Sequence, residues 1–124
     1  MNWNAYQNIW EALVPNGYIV VFPKTESGLF SVNHQEFAWD LQFLVNCMQV
    51  EGQNTNEPIY NAVAASTALM GHSMGGGAAF LAADSLCTAF DSTFKTIIGL
   101  APAEPNSNGV SSIISALQVT CPSL

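Results

Sequence analysis

Thr67-Ala68-Leu69-Met70-Gly71-His72-Ser73-Met74-Gly75-Gly76-Gly77-Ala78-Ala79 is the stretch on which the fold turns. Its first four residues run apolar or β-branched without polar alternation, the pattern of a buried strand in a parallel sheet. From Met74 onward the chain is rich in alanine (Ala78, Ala79, Ala82, Ala83) and free of proline, which predicts a helix to about Leu86. Small side chains on that helix let it lie close to a sheet. Between strand and helix stands Gly71-His72-Ser73-Met74-Gly75, of the form G-x-S-x-G. A strand that becomes a helix over so few residues needs backbone room, and Gly71 and Gly75 are expected to supply it. Gly76 and Gly77 are expected to let helix and strand approach.

The same segment carries chemistry. A serine hydroxyl is a poor nucleophile until it is held in place and paired with a base. At the tip of a strand–helix turn the serine takes a strained backbone conformation and its hydroxyl stands clear of the chain. The helix starts directly after Ser73, so its free N–H groups and positive dipole end face any anion that forms there. The backbone N–H of Met74 is the expected oxyanion donor.

Working towards the N-terminus, the turn-rich Gly52–Pro58 follows a predicted helix. Phe37, Leu41, Leu44, Val45 and Met48 mark that helix to about Val50, and Asn33 with Glu36 three residues on resembles a capping box. Tyr18-Ile19-Val20-Val21-Phe22 reads as another buried strand, closed by Pro23. Before it, Tyr6, Ile9, Trp10 and Leu13 lie on one helical face, ended by Pro15-Asn16-Gly17. Towards the C-terminus, Thr96–Leu100 reads as a strand stopped by Pro102 and Pro105. A short helix is expected near Ser111–Leu117, and Val119–Leu124 approaches a further strand. Alternating strand and helix means an α/β fold: a parallel sheet with flanking helices. In such sheets functional groups gather at the carboxyl ends of the strands. The loops Lys24–Asn33, Gly71–Gly75 and Ala101–Gly109 are therefore the ones that matter.

Gly71-His72-Ser73-Met74-Gly75-Gly76-Gly77-Ala78 is similar to the nucleophile elbow of the esterase branch of α/β hydrolases. That branch includes cutinase-like polyester hydrolases, chlorophyllases and platelet-activating-factor acetylhydrolase-like enzymes. Tyr18–Pro23 and Leu100-Ala101-Pro102-Ala103-Glu104 resemble segments of the same branch before and after the elbow. The resemblance spans nearly the whole chain, as the middle of a longer fold. It implies a partial α/β-hydrolase fold, with residues 1–124 as a single, incomplete domain. It also implies a serine ester hydrolase acting through an acyl-enzyme on Ser73. The substrate would be a small-molecule or polymeric ester, and no metal or organic cofactor is called for. The class is specified better than the substrate.

The rest of the machinery is harder to find. In this fold the triad follows the order Ser, then Asp or Glu, then His. The chain has only His34 and His72, and none of residues 74–124 is histidine. His72 holds the variable position of the motif, and its side chain is expected to point away from the hydroxyl and to pack or make a backbone hydrogen bond. The loop of His34 follows a strand's carboxyl end, and His34 stands as a candidate base, although there it breaks the order; the alternative is a helix-start or surface histidine. Glu104 lies just past a strand end and stands as a candidate acid; the alternative is a solvated loop carboxylate. Asp84 and Asp91 fall at the far end of the elbow helix and read as structural. The second oxyanion donor belongs to a loop before the first helix, so Met1 reads as an internal methionine. The rival reading is a truncated or degenerate hydrolase domain that does not catalyse.

Composition narrows the partners. The formal net charge is −7, and Lys24 and Lys95 are the only Lys or Arg residues. A surface able to neutralise nucleic-acid phosphates cannot be built from two cations, nor can a polybasic membrane patch. Hydrophobic residues make up 49% of the chain, too many for disorder. No apolar run approaches the roughly 18 residues of a membrane span. Cys47, Cys87 and Cys121 match no zinc or C-x-x-C spacing. With scarce Lys and Arg and plentiful Asn and Ser, they point towards an extracellular or periplasmic protein, though Met1-Asn2-Trp3-Asn4 carries no secretory signal.

Overall fold

In the computed structural model, which describes residues 3–24, 33–89, 94–104 and 112–118, the strand expected at Thr67 runs from Thr67 to His72 (β1). A second strand, Phe94–Leu100 (β2), lies parallel to it, with Leu69 opposite Ile97 and His72 opposite Leu100. Parallel strands cannot be joined by a tight turn and need a long crossover. The helix Met74–Ala89 (α3) is part of that crossover.

Helix α3 is the centre of the molecule. It packs on both strands, and also on the helices His34–Glu51 (α2) and Ser112–Gln118 (α4). A helix enclosed on several sides needs an apolar surface all round rather than a stripe. Ala78, Ala79, Ala82 and Ala83 meet that need, each with no exposed surface. They join Phe80, Leu81, Ala38, Val45, Leu69 and Ile97 among the buried apolar residues, and Leu41 and Ala116 pack against that core.

Helix α2 starts where the capping residues predict. Asn33 is its N-cap, and the Asn33 side chain accepts the backbone N–H of Gln35 at 2.9 Å. Ala38 and Val45 face the core, and Phe37, Leu44 and Met48 are half-buried. Trp39, Phe43 and Val50 are exposed on the opposite side.

The N-terminal region is a 3-10 turn (Trp3–Tyr6), a short helix (Gln7–Leu13, α1) and a second 3-10 turn (Val14–Asn16). Gly17 closes it with φ +86°, a left-handed cap that glycine adopts without steric cost. Tyr6, Ile9, Trp10 and Leu13 are half-buried while the residues between them are exposed, so the stripe faces inward but reaches no deep core.

One expectation needs correcting. Tyr18–Phe22 joins no sheet in the structure, and Tyr18, Ile19, Val21 and Phe22 are all exposed. A strand is defined by its neighbour, and β1 and β2 pair only with each other among the described residues. The architecture nonetheless is a parallel sheet with flanking helices, mixed α/β, as a partial α/β-hydrolase fold requires. Val119–Leu124 and most of the Lys24–Asn33 and Ala101–Gly109 loops lie outside the described residues. Among the described residues no helix is long and apolar enough to cross a membrane. Cys47 is a half-buried free thiol; the Cys87 side chain and Cys121 are outside the described set.

Candidate active site

Ser73 sits at the single-residue joint between β1 and α3. Its φ is +54°, in the left-handed region that non-glycine residues rarely occupy. Such a conformation costs on the order of 1–3 kcal/mol and persists only where the surroundings hold it. Here they do. The Ser73 N–H donates to the Leu100 carbonyl at 2.9 Å, extending the β1–β2 ladder by one rung. The Ser73 carbonyl accepts three N–H groups, from Ala103 at 2.9 Å, Gly76 at 3.0 Å and Gly77 at 3.2 Å.

The glycines around Ser73 have different reasons to be glycine. A Cβ on Gly71 would overlap the carbonyl of Gly75 and lie 2.6 Å from the Gly76 nitrogen, so the strand end touches the first turn of α3. A Cβ on Gly77 would overlap the Ala103 carbonyl, and one on Gly76 would lie 3.0 Å from Pro102. A Cβ on Gly75, by contrast, meets nothing within 4 Å. The expectation that Gly75 is glycine for want of room is therefore corrected.

The N–H groups of Met74 and Gly75 donate to no backbone carbonyl among the described residues. They lie at the start of a 16-residue helix, immediately after Ser73. This is the arrangement in which helix N–H groups and dipole favour a negative charge.

The two histidines go different ways. His72 is exposed, and its Nδ1 lies 3.2 Å from the Tyr6 hydroxyl, with the donor set by the imidazole tautomer. Tyr6 also meets the His72 ring edge-on, with centroids 6.3 Å apart, and stacks on Phe22 at the same separation. His34 is the first residue of α2 and is only 7% exposed. Its ring packs below the first turn of α3, with Cδ2 3.2 Å from where a Gly77 Cβ would stand. Its Nε2 is buried with no hydrogen-bond partner. His34 thus lies near the joint but makes no hydrogen bond to Ser73. Glu104 accepts the backbone N–H of Ile113 at 3.1 Å, which places its carboxylate at the N-terminus of α4. Asp84 lies in the third turn of α3, away from the helix start, and Asp91 is outside the described residues.

The structure therefore brings Ser73, Met74, Gly71 and Gly75 together and sets His34 beneath them, with Glu104 three residues beyond Pro102's neighbour Ala101 at the end of β2. Sequence reasoning missed the backbone bonds from Leu100 and Ala103 to Ser73. No side-chain pattern announces a bond made by main-chain atoms. The Tyr6–His72 contact was missed too, because it joins residues far apart in the chain.

No curated protein matches the chain. The protein-family model described as chlorophyllase matches residues 1–124. By that match over its whole length, the chain belongs to the chlorophyllase family, an α/β-hydrolase-type family of ester hydrolases.

Proposed function

We propose that this chain carries the nucleophile of a serine carboxylic-ester hydrolase, and that Ser73 is that nucleophile. The observation that carries the reading is the positive φ of Ser73 at a strand–helix joint. A non-glycine residue is held in a costly conformation where a hydroxyl would be presented, in a family of ester hydrolases.

The chemistry runs in two stages. Ser73 Oγ attacks the ester carbonyl carbon as a base takes its proton, and the carbonyl oxygen becomes an oxyanion that accepts the Met74 N–H. The carbon–oxygen bond to the alcohol then breaks and the alcohol leaves with the proton. Water attacks the acyl-enzyme in the second stage, releasing the acid and restoring Ser73. Neither step calls for a metal or an organic cofactor. The substrate is an ester, small or polymeric.

A second reading is a domain that does not catalyse. It is favoured by one observation, that neither His34 nor His72 hydrogen-bonds Ser73: His34 Nε2 is buried without a partner, and His72 Nδ1 meets the Tyr6 hydroxyl. His34 and Glu104 are the residues of this chain closest to the roles of base and acid, and each departs from the expected arrangement.

Incubation with a fluorophosphonate, followed by mass spectrometry, separates the readings. Under the hydrolase reading the chain takes up one adduct on Ser73, slowly, and Ser73→Ala takes up none. An adduct that persists in Ser73→Ala overturns the assignment. Failure to label on prolonged exposure supports the inert domain. Fast stoichiometric labelling shows that a base acts within the chain, and His34→Gln then tests whether it is His34.

A further inference from the structure

We infer that the turn Leu100-Ala101-Pro102-Ala103 is a positioning clamp that holds Ser73 in its left-handed conformation, with Ala101 and Ala103 as positioning residues. The inference rests on Ser73 being the nucleophile, and it concerns what keeps that nucleophile presented.

Two non-glycine residues with positive φ stand at the carboxyl ends of adjacent strands: Ser73 at +54° after β1 and Ala101 at +45° after β2. Reciprocal backbone bonds join the two ends. Ser73 donates its N–H to Leu100 at 2.9 Å, and Ala103 donates its N–H to the Ser73 carbonyl at 2.9 Å. The chain must turn sharply at Ala101 for Ala103 to follow Leu100 and still reach Ser73. Rotating Ser73 to negative φ would break the bonds on both sides of it.

The turn is also packed against the start of α3 with no slack. The Ala103 carbonyl fills the place of a Gly77 Cβ, and Pro102 lies 3.0 Å from where a Gly76 Cβ would stand. Pro102 folds back over β2 as well, 3.3 Å from the position of a Gly99 Cβ. Gly76 and Gly77 therefore leave room for this one turn, whereas Gly99 leaves room chiefly for Phe80, whose ring lies 2.8 Å from where its Cβ would stand. An ordinary loop at a strand end needs neither two strained residues nor two reciprocal bonds. A device that fixes one backbone conformation needs both. Ala101 and Ala103 act only through the Ser73 main chain.

The test varies the strain at Ala101 while leaving every hydrogen bond in place. Glycine adopts positive φ freely and a β-branched residue pays more than alanine. Amide exchange of Ser73 is followed in the parent, Ala101→Gly and Ala101→Val, with the Val45 amide of α2 as reference. Ser73 exchange is expected to be about tenfold faster in Ala101→Val and several-fold slower in Ala101→Gly, with Val45 unchanged. Fluorophosphonate labelling of Ser73 is expected to slow in Ala101→Val by a similar factor. If Ala101→Val does not fold, the parent and Ala101→Gly still give the comparison.

Equal Ser73 exchange in the variants, or exchange that moves in step with Val45, overturns the clamp. Altered exchange with unaltered labelling overturns its positioning role. A parent that never labels removes the hydrolase reading, while the exchange result still decides whether the turn holds Ser73.

Discussion

A Cβ at position 71 and a Cβ at position 75 meet opposite surroundings, although the two glycines hold matching places in the motif. At 71 the added carbon strikes backbone, the carbonyl of Gly75 and the nitrogen of Gly76, which cannot rotate aside. At 75 it stands in open space. Gly71→Ala is therefore expected to lower stability by about 3 kcal/mol, at the upper end for an overpacked site. Gly75→Ala is expected to change stability by less than about 1 kcal/mol, since alanine is the better helix former. Urea unfolding of the two variants measures the difference, and equal midpoints would count against the geometry of the joint. The motif could not show this asymmetry. It depends on which way the end of β1 points relative to the first turn of α3. The Ser73 conformation, in contrast, was legible, because a serine between a strand and an alanine-rich helix has few other ways to turn. The strand is nonetheless not buried on both faces as its composition suggested: Leu69 is its buried residue, and Ala68 and Met70 are exposed.

Elements differ in how far their own residues define them. A helix satisfies its backbone internally, so caps and periodicity suffice to place it, and α2, α3 and α4 fall close to where the sequence puts them. A strand depends on another segment of chain, and Tyr18–Phe22 has a strand's composition without a strand's partner. The start of α2 shows how fine the helix reading can be. The Asn33 side chain accepts the N–H of Gln35, the second helical residue, rather than that of Glu36 as a capping box would have it, and no bond from the Glu36 side chain back to Asn33 accompanies it. Asn33→Ala should therefore cost about 1 kcal/mol in stability. Glu36→Ala should cost only a few tenths of a kcal/mol, since what it loses is a favourable charge near the helix start. Thermal or urea melts of the two variants check this, and a larger loss for Glu36→Ala would mean that the full reciprocal box forms in solution.

At the scale of the whole molecule, two tendencies oppose each other. A net charge of −7 with two cationic side chains drives copies of the chain apart. Against it stand Trp3, Tyr18, Trp39, Phe43, Val50 and Ile113, each more than half exposed. The sheet adds to them, for Met70 at 40% exposure and Leu100 at 38% lie on strands of a parallel sheet, a structure ordinarily covered on both faces. Charge repulsion between surfaces is screened over roughly 8 Å at physiological ionic strength, whereas apolar contact is not weakened by salt. Apolar association is therefore expected to win. The chain should bind an apolar fluorescent dye and associate as its concentration rises, more strongly at higher salt. The unpaired segment Tyr18–Phe22 is the natural place to interrupt this, since lysine on an exposed strand-like segment blocks edge pairing. Ile19→Lys with Val21→Lys should reduce association and leave the far-ultraviolet circular dichroism unchanged. Both substitutions reduce the net negative charge, so a fall in association cannot come from added repulsion. Sedimentation at several concentrations makes the measurement; a parent chain that stays monomeric throughout and binds no dye would show that its exposed apolar residues are covered in solution.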